Sequence, residues 1–356
     1  MLSKLYLKNF RNQSELKLKF AEGVTVLLGE NGCGKTNILE SIYFLSLLRS
    51  FRSAKPKDFV KLGESEFLLM AELLDSESGE KEILKITQNS DGNSRKLAIN
   101  NQNIAKSSEF IKRFRAVIFA PEDRAIVASS ASFRRRYFDI LISLESSEYL
   151  NALKNYNNAL INRNAILKKS ISLNSIGKIL YPFELIMAES AVVIMNYRRK
   201  YSEIIGTKVA ELWGSENQFS LEYAPKINAD NEEDFLRIFA ENYEKDLART
   251  YTSSGVHLDE FDFLLNGKLL RTFGSSGQIR LTSLFLRMAE FELSCEQDKA
   301  VIALIDDVTG ELDEINYNKF LNMLKNAEQS IFTFAKLIDS EFFKDAKVYH
   351  FPFTGE

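Results

Sequence analysis

The chain has 356 residues, with 46 Lys plus Arg against 49 Asp plus Glu and a formal net charge of −3. Hydrophobic residues make up 45% and charged residues 27%, which excludes general disorder. Two Cys exclude a disulfide framework and cannot by themselves build a zinc site, and only two His argue against a histidine-based metal cluster.

No apolar run approaches the ~18 residues of a membrane span. The start, Met1–Lys8, lacks the order of a signal peptide. A cytoplasmic protein without membrane contact is expected. The near-neutral total argues at first sight against a nucleic-acid partner, but it hides segregation. Residues 1–20 hold five basic residues and one acid; Lys106–Arg136 hold eight and three; Lys154–Lys200 hold eight and two. Residues 230–246 hold seven acids and two bases. Fields act locally, so three basic stretches favour an anionic partner over merely solvated helix faces.

In chain order, residues 2–20 alternate apolar and polar around Arg11–Ser14, predicting two strands. Val24–Leu28 fits a buried strand, followed by a Gly-rich turn and a helix over Ile38–Leu48. Glu66–Leu74, Glu82–Gln88 and Lys96–Ile99 read as a meander, and Ala116–Phe119 as another buried strand. From about residue 130 to 213 apolar residues recur at helical spacing, as in Tyr149, Leu153, Tyr156 and Leu160. Heptads are not sustained, so a long coiled-coil arm is not expected. Phe261–Leu265, Asn266-Gly267 and Lys268–Phe273 predict a hairpin with a type I′ turn. A helix from Gln278 to about Cys295 leads to a buried strand, Ala300–Ile305, with later strands at Ser330–Phe334 and Lys347–His350. The expected layout is an α/β head split in two, residues 1–120 and 250–356, around a helical insertion at 121–249.

Gly29-Glu30-Asn31-Gly32-Cys33-Gly34-Lys35-Thr36 satisfies G-x-x-x-x-G-K-[ST], with a strand before it and a helix after. The glycines let successive N–H groups face a phosphate, and the helix N-terminus adds positive partial charge. Lys35 suits the β/γ-phosphates and the Thr36 hydroxyl suits Mg²⁺; Asn37 follows in the same turn. Cys33 reads as a small filler.

The strand at 300–305 ends in Asp306-Asp307. Beside a phosphate loop, the first Asp is expected to hold Mg²⁺ through water and the second to orient or deprotonate the attacking water. The long gap between Lys35 and Asp306 is the layout of an ABC/SMC-type P-loop ATPase head with a mixed sheet. Such heads carry a signature turn before the acidic strand, here Ser275-Ser276-Gly277-Gln278. In isolation those residues equally make a helix N-cap. Glu311 and Asp313 then fall at the D-loop and Thr333 at the switch position.

Together these motifs resemble the RecF family of SMC-like ATPases without long coiled coils. The resemblance spans the chain. It is carried by Leu7–Asn12, Asn31–Glu40, Arg49–Ser53, Val117–Asp123, Arg134–Asp139, the Tyr156, Leu160, Arg163-Asn164 and Leu167-Lys168 pattern, Gly274–Gln278 and Ile305–Asp313. Besides Asn162, which stands where Gln is usual, two places depart from the family pattern. Gly255-Val256-His257-Leu258-Asp259-Glu260 lacks a usual Pro and Arg, and Ser276 stands where Gln is usual.

The resemblance implies ATP and Mg²⁺ as cofactors and ATP-driven homodimerisation, with slow, DNA-stimulated hydrolysis. It also implies binding to double-stranded DNA and single/double-strand junctions, and cooperation with RecR and RecO in DNA repair, replication and the SOS response. The protein would then sit in the cytoplasm near the nucleoid. Arg52, Arg134, Arg135, Arg163 and Lys168 are the candidate DNA contacts; Arg134 and Arg135 could instead pair with acids such as Glu145 or Glu148. An ATP-binding scaffold and a transporter ATPase subunit are the competing readings.

Overall fold

The computed structural model describes residues 1–52, 55–75, 78–111, 113–169, 173–297, 301–308, 312–336 and 340–352. The chain forms two compact units. One comprises Met1–Asp123 and Arg287–Glu356, the other Arg124–Leu286.

The first unit opens with β1 (Leu2–Phe10), β2 (Gln13–Lys19) and β3 (Gly23–Gly29), then α1 (Lys35–Leu47). Strands β4 (Glu66–Leu74), β5 (Lys81–Asn89), β6 (Arg95–Ile99) and β7 (Gln102–Ile104), a short α2 (Ser107–Ile111) and β8 (Arg115–Phe119) follow. Six strands pair antiparallel in the order β2-β1-β4-β5-β6-β7. Leu5, Leu7, Leu69, Ala71, Leu84 and Ile86 line its inner face while the alternate positions meet solvent, as period-2 patterning requires.

Helix α1 is almost wholly buried. Its Phe44 joins Phe10, Phe59 and Phe67 in a cluster of rings with centroids 4.9–6.5 Å apart. Each buried ring contributes roughly 1.5–3 kcal/mol, and the rings meet tilted or edge-on except for the stacked Phe10–Phe59 pair.

The second unit holds α3 (Arg124–Ala128), α4 (Ala131–Glu145), α5 (Ser147–Leu167) and α6 (Leu173–Trp213). It continues with β9 (Phe219–Ala224), α7 (Glu232–Glu241), α8 (Tyr243–Arg249), β10 (Glu260–Leu265), β11 (Lys268–Leu269), a single turn α9 (Leu270–Phe273) and the start of α10 (Ser276–Gln297). Helix α6 runs 41 residues with Pro182 inside it. By length and composition, its stretch Ser175–Trp213 is apolar enough to cross a membrane, contrary to the expectation of no such run. It also carries the sealed side chains of Glu184 and Arg198, which fit the interior of a packed unit.

The returning chain adds β12 (Val301–Asp306), α11 (Glu314–Leu324), β13 (Gln329–Phe334) and β14 (Lys347–Phe351) to the first unit. These strands make a parallel sheet in the order β14-β3-β13-β12-β8.

Two details differ from expectation. The chain returns at Arg287, inside α10, rather than near residue 250. The cause is β10, which pairs along its whole length with β9 and so completes a three-stranded sheet of the second unit. The hairpin turn has positive φ at both Asn266 and Gly267, as a type I′ turn needs. Only Lys268–Leu269 pairs after it, and Leu270–Phe273 coils into α9.

Candidate nucleotide site

The phosphate loop joins β3 to α1 at the C-terminal edge of the parallel sheet. Gly34 has φ 102° and precedes α1 as its N-cap. A Cβ there would lie 2.4 Å from Gln13 Nε2 and 2.8 Å from Asn12 Oδ1, so the β1–β2 turn sits directly against the loop. Gly29 is held by a different neighbour: a Cβ would come within 2.4 Å of the Phe351 carbonyl on β14. Both positions exclude any larger residue.

The Lys35 ammonium folds back along the loop, donating to the carbonyls of Gly29 at 2.6 Å and Glu30 at 2.8 Å. Its Nζ also lies 3.7 Å from Cys33 Sγ. Thr36 Oγ1 donates to Asp306 Oδ1 at 2.9 Å, and Thr333 Oγ1 donates to the same oxygen at 2.8 Å. Sheet register brings them together. Asp306 on β12 is paired with Thr333 on β13, which is paired with Leu27 on β3. Burial raises the Asp306 carboxyl above its ordinary range; the Thr333 and Thr36 hydroxyls oppose this, Glu122 adds to it and Arg52 counters it. A Thr hydroxyl beside an acidic oxygen is the donor set a hard divalent cation takes, so Thr36 and Asp306 fit Mg²⁺. Asp307 is exposed with φ 50°, a left-handed conformation unusual for a side-chain-bearing residue.

Around this core lies a polar ring that motif reading touched only in part. Glu40, fully buried on α1, receives Arg11 through Nε at 2.8 Å and Nη2 at 2.6 Å, and also the Ser50 hydroxyl. Arg11 Nη1 donates to the Asp58 carbonyl at 2.7 Å, which pins this arginine. Arg52 is held more loosely. Its Nη1 donates to Asn37 Oδ1 at 3.1 Å, and its ion pairs to Glu122 and Glu40 are 3.5 and 4.0 Å. Asn37 Nδ2 donates in turn to Asn12 Oδ1 at 2.7 Å. Asn12, Ser50 and Glu122 lie in the family-like segments Leu7–Asn12, Arg49–Ser53 and Val117–Asp123 but carried no assigned role, and Gln13 lay outside every motif.

In the second unit, Ser275 and Gln278 cap α10 reciprocally. The Ser275 N–H donates to Gln278 Oε1 at 2.9 Å and the Gln278 N–H donates to Ser275 Oγ at 3.2 Å. Ser276 Oγ accepts from Arg124 Nη2 at 3.1 Å, and Gly277 is exposed. In the first unit, Asp313 caps α11 by accepting from the Asn316 N–H at 2.9 Å. Glu311 lies outside the described residues.

The candidate DNA contacts divide. Arg163 has 0% exposure and pairs with Glu184 at 2.9 Å and Asp246 at 2.7 Å. Arg134 is sealed by Glu260 at 2.7 Å and by the carbonyls of Val127 and Ser129. Neither can reach a phosphate, so both expectations are corrected. Arg134 does pair with an acid, as the alternative reading had it, but with Glu260 rather than Glu145 or Glu148. Arg135 is half-buried and donates to the Asp259 carbonyl at 2.6 Å. Lys168 is exposed at the end of α5.

The departing loop 255–260 lies among these groups. His257 Nε2 donates to the Thr252 carbonyl at 3.2 Å, so Nδ1 accepts from the Tyr156 hydroxyl at 2.8 Å. Asp259 pairs with Arg198 at 3.0 Å and accepts from the Lys226 N–H at 3.0 Å. Trp213 packs edge-on to Phe285, 5.4 Å between centroids.

A parallel sheet carrying a phosphate loop, with the acidic strand end Asp306 beside it, defines a P-loop ATPase head of the ABC/SMC class. Residues 1–351 match the RecF/RecN/SMC N-terminal domain. An Smc head domain from Pyrococcus furiosus is 16% identical with a TM-score of 0.51, which supports the fold alone.

Closer likenesses exist. A DNA replication and repair protein RecF of Natranaerobius thermophilus is 33% identical over 95% of this chain and 92% of its own. One of Clostridium novyi is 34% identical over 99% and 98%. A solved structure of the recombination mediator protein RecF with ATP has a TM-score of 0.86 at 29% identity, covering 96% of this chain and 93% of that one. The chain belongs to the RecF family.

Proposed function

We propose that the chain is an ATP-dependent DNA-binding protein of recombinational repair and replication-gap processing, acting in the cytoplasm. The observation that carries the reading is the meeting of Thr36, Asp306 and Thr333 at one carboxylate oxygen beside the Lys35 loop. Its relatives' names, and the ATP complex and RecFOR pathway of the solved structures, supply the biological setting.

The loop N–H groups and Lys35 hold the β/γ-phosphates. Thr36 and Asp306 hold Mg²⁺, which when bound offsets the phosphate charge. Asp307 orients the attacking water. Ser275–Gln278 meet the nucleotide of a second copy, with Asp313 and Thr333 reporting on it, so that ATP closes a homodimer on duplex DNA or a single/double-strand junction. Slow, DNA-stimulated hydrolysis reopens it, and RecR with RecO are the partners in recombinase loading.

The test is sizing of the protein with and without Mg-ATP, and with gapped or blunt duplex, alongside phosphate release. An ATP-dependent dimer whose turnover rises on DNA is expected. A monomer under every condition would sink the dimer model, and absence of phosphate release would sink the ATPase.

A further inference from the structure

The outer face of the six-stranded sheet belongs to no element of the nucleotide site. Its composition is unlike that of a neutral solvated face. Register sets three rows across the strands. One runs Lys19, Lys4, Glu72 and Ile83; the next Lys17, Tyr6, Met70 and Lys85; the third Glu15, Lys8, Leu68, Thr87 and Lys96. The rows hold six lysines against two glutamates.

Lys4 and Lys19 stand directly opposite each other, a like-charge pair that costs the sheet stability. Glu72 relieves Lys4 at 2.9 Å and Glu15 approaches Lys17 at 3.6 Å. Among the described residues, no ion pair reaches Lys8, Lys19, Lys85 or Lys96, and three of these four are exposed while Lys85 is partly so. A lysine field spread across four strands of the sheet, without an acid on Lys8, Lys19, Lys85 or Lys96 among the described residues, fits a polyanion.

We infer that this face is the seat of the duplex, gripping the sugar-phosphate backbone through Lys8, Lys19, Lys85 and Lys96. Neighbouring strands lie about 4.8 Å apart, which puts β2 roughly 14 Å from β5 and ~19 Å from β6. The major groove is about 12 Å wide, so lysines on the two sides can meet phosphates of both DNA strands. Lysine is a point charge without arginine's fork, so the contact is tolerant of sequence. Tyr6 and Met70 in the middle row supply an apolar floor. The inference rests on the DNA-binding reading above and moves the contacts away from the sealed Arg134 and Arg163.

The test uses the full chain with Mg-ATP and a fluorescein-labelled duplex, read by anisotropy at about 50 and 200 mM salt. The variant carries Lys8→Ala, Lys19→Ala, Lys85→Ala and Lys96→Ala together. Affinity should fall at least about tenfold, and the salt slope should flatten by about 0.9 for each lysine that met a phosphate. ATP turnover without DNA should match the unaltered chain, which also shows that the variant is folded. A variant with unchanged affinity and slope overturns the surface while leaving the DNA-binding reading intact. If the unaltered chain ignores duplex at both salts, that reading and this surface fall together. Capture by phosphatidylglycerol vesicles without duplex binding would mark a lipid surface and likewise overturn it.

Discussion

The loosely held arginine beside the phosphate loop and the sealed arginines of the second unit do different work. In the first unit, beside the phosphate loop, Arg11 is pinned on the buried Glu40 while Arg52 stays 36% exposed with its acids at 3.5 and 4.0 Å. In the second, Arg134, Arg163 and Arg198 lie inside, each with acids within about 3 Å. A charge held loosely at an edge can respond to an arriving phosphate. A charge sealed among fixed partners fixes geometry and cannot leave without exposing its acids to an apolar interior. The comparison separates chemistry in one unit from scaffolding in the other, and four experiments bear on it.

The largest expected effect is on the sealed cluster. Arg163→Ala strands Asp246 and Glu184, both almost fully buried. Breaking one partner of such a pair costs about 3–5 kcal/mol. Urea unfolding should show the loss as a lower midpoint; an unchanged midpoint would mean that the cluster does not brace the unit.

Next comes pH. Burial, opposed by the Thr252 carbonyl and aided by Arg135, holds the His257 imidazole down at about 4, against 6.5 for a free side chain. The folded state therefore keeps His257 neutral while the unfolded chain takes up a proton below pH 6.5. Stability from this group is full above pH 6.5 and is lost as pH falls toward 4, by up to about 3 kcal/mol. Buried carboxyls such as Glu184 and Asp259 are raised instead and favour folding in the opposite direction. Subtracting the pH profile of His257→Gln isolates the histidine. Parallel profiles between pH 4 and 6.5 would rule this out.

In the first unit the same size of change should strike rate rather than stability. Lys35→Ala removes the ammonium from the carbonyls of Gly29 and Glu30, which can turn to water. Turnover of ATP should drop by about 100-fold or more, with a stability change below about 1 kcal/mol. A large loss of stability at unchanged turnover would erase the division between the units.

What could be seen in the sequence follows the same division. The phosphate loop and Asp306 are local patterns whose chemistry needs only a strand and a turn, so residues 29–37 and 306 were visible at once. The alternation in β1, β4 and β5 was equally plain. Period 2 says which face of a strand is buried but not which sheet it joins. That is why β10 looked like part of the head, although it pairs with β9, a strand hidden in a stretch taken as helical and acidic. Buried arginines were the other blind spot. Arg163 finds its acids 21 and 83 positions away and Arg198 finds Asp259 61 away. Nothing local separates such residues from surface charges on an amphipathic helix. Glu40 shows the same limit inside the head, since its partner Arg11 is 29 positions away.

The smallest expected effect decides the most. Ser275 is at once a structural cap and the first residue of the proposed signature. Ser275→Ala removes the acceptor for the Gln278 N–H and should cost about 1 kcal/mol through the cap alone. If capping were its whole role, turnover would fall by no more than that. Asp caps a helix as well as Ser does, so Ser275→Asp should restore the unfolding midpoint to within a few tenths of a kcal/mol. It also places a carboxylate where the proposed signature would meet the phosphates of a second copy's nucleotide. If Ser275 serves ATP, stability returns in Ser275→Asp while ATP-dependent dimerisation and turnover stay lost. Recovery of both together would leave Ser275 a cap and nothing more.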